Sequence, residues 1–166
     1  MPRGTEVDGG GHVNTPAAPR DSADAATESS SPLLCPSAQP FMEGARAIGL
    51  VDHAGDDPEV AYLERPLPAT DELLAMAAPL RPTEVFRFAA PCRPDLCSHW
   101  NGAACKLASR IVDLLPARSL VLPKCNVRGE CRWYAQEGRA ACARCPDVVT
   151  QNEDPSEEMR AAAMPR

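Results

Sequence analysis

The chain has 166 residues, 23 acidic against 17 basic, a formal net charge of −6 and only 4% aromatic residues. That length allows one small domain plus tails, and so few large side chains leave a core short of filling. No run of about 18 apolar residues occurs, so no membrane-spanning helix is expected. The N-terminal stretch lacks the apolar region of a secretory signal. A cytoplasmic setting that keeps thiols reduced is therefore expected.

Residues 1–40 are rich in Gly, Pro, Ala, Ser and Asp and carry almost no large apolar residues, so they read as a disordered tail. Residues 41–91 read as a small α+β subdomain. ARAIGLVDH and VAYLER flank the turn material HAGDDPE, which predicts a β-hairpin with a longer loop. PATDELLAMAAP predicts a helix, with Thr70 as N-cap, Asp71 and Glu72 at its positive end and Pro79 as its stop. PTEVFRFAAPC predicts a third strand presenting Val85, Phe86 and Phe88.

Residues 92–150 read as a cysteine-rich metal-binding module. In AACKLASRIVDLLP, residues Ala104, Leu107, Ala108, Ile111 and Leu115 recur on one helical face, opposite Lys106, Ser109, Arg110 and Asp113. Pro116 ends that helix. CRWYAQE predicts a shorter one, stopped by Gly138. Residues 151–166 read as a second disordered tail. The expected fold class is α+β: a small, irregular, metal-stapled domain with a β-hairpin, short helices and disordered tails.

Seven of the eight cysteines fall between residues 92 and 145. In a reducing compartment such clustering points to metal binding rather than to disulfides. Cys125, Cys131, Cys142 and Cys145 give C-x5-C-x10-C-x2-C, four thiols from one stretch, followed by Pro146. That set suits an iron–sulfur cluster, with zinc as the other candidate. Cys92, Cys97 and Cys105 are one ligand short of a set, and His99 is the nearest candidate for the fourth. Ligands from both halves sharing one site is the alternative partition. Cys35, alone in PLLCPSAQP, reads as an incidental free thiol. Trp100 and Trp133 follow cysteines closely and serve either as cluster shields or as ordinary core.

Residues 91–147 hold nine bases and five acids, a local charge of +4 within an acidic chain. Arg132, Arg139 and Arg144 sit beside or near cysteines, which favours compensation of thiolate charge over phosphate binding. Nucleic-acid binding is thus not expected, and a protein partner is. No Gly-rich phosphate loop and no Ser/His/Asp arrangement is present. The expected function is a non-catalytic metal-binding protein, iron–sulfur first, in electron transfer or an accessory role. The alternative is a zinc-binding nucleic-acid or transcription-associated module. Thiol redox chemistry at Cys142-Ala-Arg-Cys145 is weaker, since no βαβ pattern surrounds it.

The stretch from EVFRFAAPC through CSHWNGAACKLASRIV to CRWYAQEGRAACARCPDVVT resembles small bacterial cysteine-rich proteins of unassigned biochemistry, some labelled "nitrogen fixation protein". The likeness covers residues 45–150 and is strongest in QEG, the Cys142–Cys145 knuckle and PDVVT. The resemblance implies association with iron–sulfur-rich metabolism. It implies no reaction and carries over no catalytic residue.

Overall fold

Phe86–Pro91 is apolar at almost every position and buried along its length. A strand with no polar face needs cover on both sides, and this one has it. In the computed structural model, which describes residues 32–55, 57–118 and 121–165, this strand (β4) lies inside a four-stranded antiparallel sheet. The others are β1 (Leu34–Ala38), β2 (Arg46–Asp52) and β3 (Glu59–Pro68), in the order β1-β4-β2-β3. The predicted hairpin is β2 with β3.

Alternation along β4 sends its side chains to two cores. Phe86, Phe88 and Ala90 pack with Ala47 and with Leu73 and Leu74 of helix α1 (Asp71–Ala75). Ala89 faces the other way, with Ile48, Leu34 and Val127. Arg87 points to that second side as well, its guanidinium over the Trp133 ring. Thr70 caps α1, accepting from the Leu73 N–H at 3.3 Å.

The third predicted strand starts later than expected. Pro82–Val85 is a helical turn, α2, and the strand begins at Phe86. Glu84 closes that turn by accepting from the Arg81 backbone N–H at 2.6 Å, with Pro82 in the first turn where its missing N–H costs nothing. Local capping outweighs the β preference of Val85 there.

The remaining helices are α3 (Lys106–Leu114), α4 (Arg132–Glu137), α5 (Arg139–Cys142) and α6 (Glu157–Ala163). Leu107, Ala108, Ile111 and Leu115 form the buried face of α3, as its periodicity predicts. They pack on Trp133, Ala141 and Ala162. Gly138, with φ +60°, ends α4 in a conformation that L side chains rarely adopt.

Two boundaries expected from composition are corrected. Residues 34–38 were expected in a tail but form β1, because the short run Leu34, Pro36 and Ala38 buries against β4 and the cysteine module. Residues 157–163 form α6, with Ser156 as N-cap accepting from the Met159 N–H at 3.2 Å. Arg110 Nε donates to the Ala162 carbonyl at 2.7 Å and ties α6 to α3. The described residues fall within one compact unit. Residues 1–31 of the expected N-terminal tail lie outside the described residues.

Two stability outcomes follow from this packing. A Cβ at Gly49 meets Val60 Cγ1 at 2.5 Å and the Ala61 carbonyl oxygen at 2.8 Å, at the point where the pairing of β2 shifts register. Gly49→Ala is expected to cost about 1–3 kcal/mol in urea unfolding. Removing residues 151–166 strips the partner of Arg110 and uncovers α3, and is expected to cost roughly 2 kcal/mol or more by the same measurement.

Candidate metal centre

All eight cysteines are free thiols, and the fold sorts them into two groups of four. Cys125, Cys131, Cys142 and Cys145 line one narrow cavity under the sheet. Cys131 is the N-cap of α4, Cys142 ends α5 and Cys145 opens the 3-10 turn Cys145–Asp147. Cys125 precedes Val127, which is buried against β1, β2 and β4. The cavity wall adds Tyr62, Arg128 and Trp133, with no carboxylate or imidazole among its residues. Such an all-thiol donor set suits soft metal centres.

Donors approach these sulfurs from several directions. The Tyr62 hydroxyl donates to Cys145 Sγ at 3.0 Å. The Arg128 side chain, also held by the Pro123 carbonyl, donates to Cys142 and favours its thiolate. The amides of Tyr134 and Trp133 favour the Cys131 thiolate, and that of Val127 favours the Cys125 thiolate. Burial works against all of them. It pushes the Cys131 thiol up to about 12, and the Cys125 and Cys142 thiols upward too. Burial thus favours the protonated form of Cys125, Cys131 and Cys142.

The second group is Cys35, Cys92, Cys97 and Cys105. They line a wider groove of 960 Å³ together with His99. Cys92 follows β4, and its N–H donates to the Leu33 carbonyl at 2.7 Å. Cys97 ends the 3-10 turn Pro94–Leu96, and Cys105 is the N-cap of α3. Burial raises the Cys105 thiol, while the amides of Ala108 and Leu107 favour its thiolate. Cys92, Cys97 and Cys105 each lie where an element stops or starts, whereas Cys35 stands within β1.

Cys92, Cys97 and Cys105 line one groove, and Cys35, which sequence reasoning set aside, lines it too. His99 reaches the same groove, but its Nδ1 is 3.0 Å from Arg110 Nη2. Arginine only donates, so Nδ1 is the acceptor and the proton of the neutral ring sits on Nε2. Burial and the Arg110 charge both lower the pKa of His99 and keep that ring neutral. Neither nitrogen is left with a free lone pair. Among the described residues no three His, Cys, Asp or Glu side chains are placed to hold a metal ion.

The arginines are distributed differently from their order in sequence. Arg128 contacts a sulfur, and the charge of Arg139 bears on Cys142. Arg132 lies over the Trp100 ring at 5.2 Å. Arg144 donates to the carbonyls of Leu115 and Ala140. Arg87, only 1% exposed, is the one that sequence reasoning missed. Trp133 is core, at 1% exposed, and also lines the first cavity.

No protein-family model, curated protein or solved structure matches this chain.

Gln136, in the QEG segment, joins the two groups. Its Oε1 accepts from the Cys105 N–H at 2.7 Å and its Nε2 donates to the Cys105 carbonyl at 3.0 Å. It stands on α4, whose N-cap is Cys131. Gln136→Ala removes both bonds and leaves a half-buried amide unpaired. The expected loss is about 1–3 kcal/mol in denaturant unfolding, and a loss within about 0.5 kcal/mol would show the clamp to be dispensable.

Proposed function

We propose that this chain is a non-catalytic iron–sulfur protein that exchanges single electrons with a protein partner. Cys125, Cys131, Cys142 and Cys145 are the ligands of its cluster. The observation that carries this reading is the meeting of four thiols at one cavity walled by Trp133 and Tyr62, with hydrogen-bond donors turned toward the sulfurs. When bound, a four-iron cluster supplies a one-electron couple whose potential depends on those hydrogen bonds and on exclusion of water. Tyr62 and Arg128 stabilise negative charge on Cys145 and Cys142, and Trp133 excludes solvent.

Zinc is the second reading, since a four-thiol set also suits it. Sulfurs on one zinc ion lie roughly 4 Å apart, and no three thiols here converge on a single point in that way. A cluster asks less, because each of its irons takes one protein sulfur. Nucleic-acid binding is disfavoured by where the bases are spent. Arg110, Arg128 and Arg144 are turned to carbonyls, a ring nitrogen or a thiol, and Arg118 pairs with Asp147 at 2.8 Å.

Anaerobic loading with ferrous iron and sulfide is expected to give a broad visible absorption that bleaches on reduction. Tyr62→Phe deletes the donor to Cys145 Sγ and is expected to lower the reduction potential by tens of millivolts while leaving the cluster in place. Metal uptake is expected to weaken as pH falls, because the thiols must first lose their protons. A chain that binds zinc tightly and assembles no cluster would replace this reading with the zinc one. DNA or RNA affinity of roughly 10⁻⁸ M with a steep salt slope would replace it with the nucleic-acid one.

A further inference from the structure

We propose that Cys35, Cys92, Cys97 and Cys105 form a second iron–sulfur site, with Cys35 rather than His99 as its fourth ligand. The proposal rests on the reading of the first site only for the kind of metal group. Which residues meet is independent of it.

Strand pairing puts Cys35 there. Cys35 lies opposite Ala90 on β4, and the Cys92 N–H is bonded back to Leu33. The two thiols therefore sit at the same end of the β1–β4 pair. All four line the same groove. His99 lines it too, but both ring nitrogens are committed, as derived above.

A second observation comes from the core. Arg87 is 1% exposed, and its Nη1 and Nη2 have no hydrogen-bond partner among the described residues. Its Nε donates to the Pro36 carbonyl. No ion pair among the described residues includes it. An unpaired buried cation is costly and calls for an anion. Arg87 is held at Pro36, the chain neighbour of Cys35, and lies over Trp133, which lines the first cavity. Pro36 lines the first cavity while its chain neighbour Cys35 lines the second. Four thiolates on each side of Arg87 supply the negative charge that its surroundings otherwise lack. The two sites are then adjacent, one enclosed under the sheet and the other open to the groove. That arrangement lets an electron enter at the open site and pass inward.

The full chain, loaded anaerobically with ferrous iron and sulfide, is expected to bind about eight irons, four for each four-cysteine set. Cys35→Ser is expected to retain about half of that iron, and His99→Ala all of it. Cys131→Ser is also expected to retain about half. In that variant Cys35, Cys92, Cys97 and Cys105 are shielded from iodoacetamide and become reactive after chelation. If Cys35→Ser fails to fold by circular dichroism, alkylation mapping of the wild-type chain decides, with Cys35 shielded together with Cys92, Cys97 and Cys105 only when iron is bound. Cys35→Ser keeping the full wild-type iron overturns the second site, as does loss of that iron in His99→Ala but not in Cys35→Ser. If Cys131→Ser loses all the iron and Cys35→Ser none, the second site falls and the proposed function stands. If Cys35→Ser loses all and Cys131→Ser none, the second site stands and the first assignment falls. A chain that binds no iron overturns both.

Discussion

Arg87 carries its charge to a point 1% exposed, where the Pro36 carbonyl and the face of Trp133, 5.6 Å from its carbon, are what meet it. A ring face and one carbonyl return only part of the hydration that a guanidinium gives up. Arg87 stands on β4, the strand buried on both faces, so it cannot snorkel to water. The sheet therefore closes around a positive charge, and what lies beneath the sheet has to accommodate it. Beneath it lie thiols. As neutral groups they do nothing for Arg87. Under the proposed reading metal-bound thiolates would neutralise it, and loading the metal and stabilising the core are one process.

This constraint also accounts for the protonation state of the sulfurs. Burial raises the Cys131 thiol to about 12 and the Cys35 thiol to about 11. Those folded values lie above the unfolded one, so the neutral thiols stabilise the fold at ordinary pH, and that stability is lost as pH rises through the folded values. A bound cation reverses the preference, since it favours the thiolate that burial disfavours. The amides at Cys105 and Cys131 already favour the anion. They sit at the starts of α3 and α4, where N–H groups lack helical partners, so the backbone there is arranged to favour charged sulfur.

Much of the fold was legible because its signals are local. The α3 stripe, the Thr70 cap, the Gly138 stop and the β2–β3 hairpin each follow from residues a few positions apart. The four thiols from Cys125 to Cys145 were legible for the same reason. Cys35 was not. The cysteines that line its groove are between 57 and 70 residues away in sequence (92 − 35 and 105 − 35), and the pairing of β1 with β4 is what carries Cys35 to the end of β4 where Cys92 follows. The strand itself is five residues interrupted by Pro36, inside a stretch whose composition reads as tail. Arg87 was hidden differently. In FRFAAP it stands where an edge strand would show a polar residue to water, and nothing within the strand says that the strand is central. The capping pattern at Ser156, with Glu157 and Glu158 after it, was a readable sign of α6 that low complexity masked.

Two separate stretches tie the cysteine groups to each other. On β1, Cys35 and Pro36 face one cavity each. On α4, Cys131 caps the first turn, and Gln136 in the last turn grips the Cys105 backbone through both its amide atoms. Gln136 also donates to Glu137, which accepts from Ser109 of α3, so the clamp is part of a small network rather than a single bond. A strand and a helix linking the same two places leave little freedom for one group to rearrange while the other stays put. Ordering Cys131 by ligation fixes α4, and a fixed α4 holds Cys105. Under the proposed reading, loading one group would lower the conformational cost of loading the other, with no direct contact between them needed.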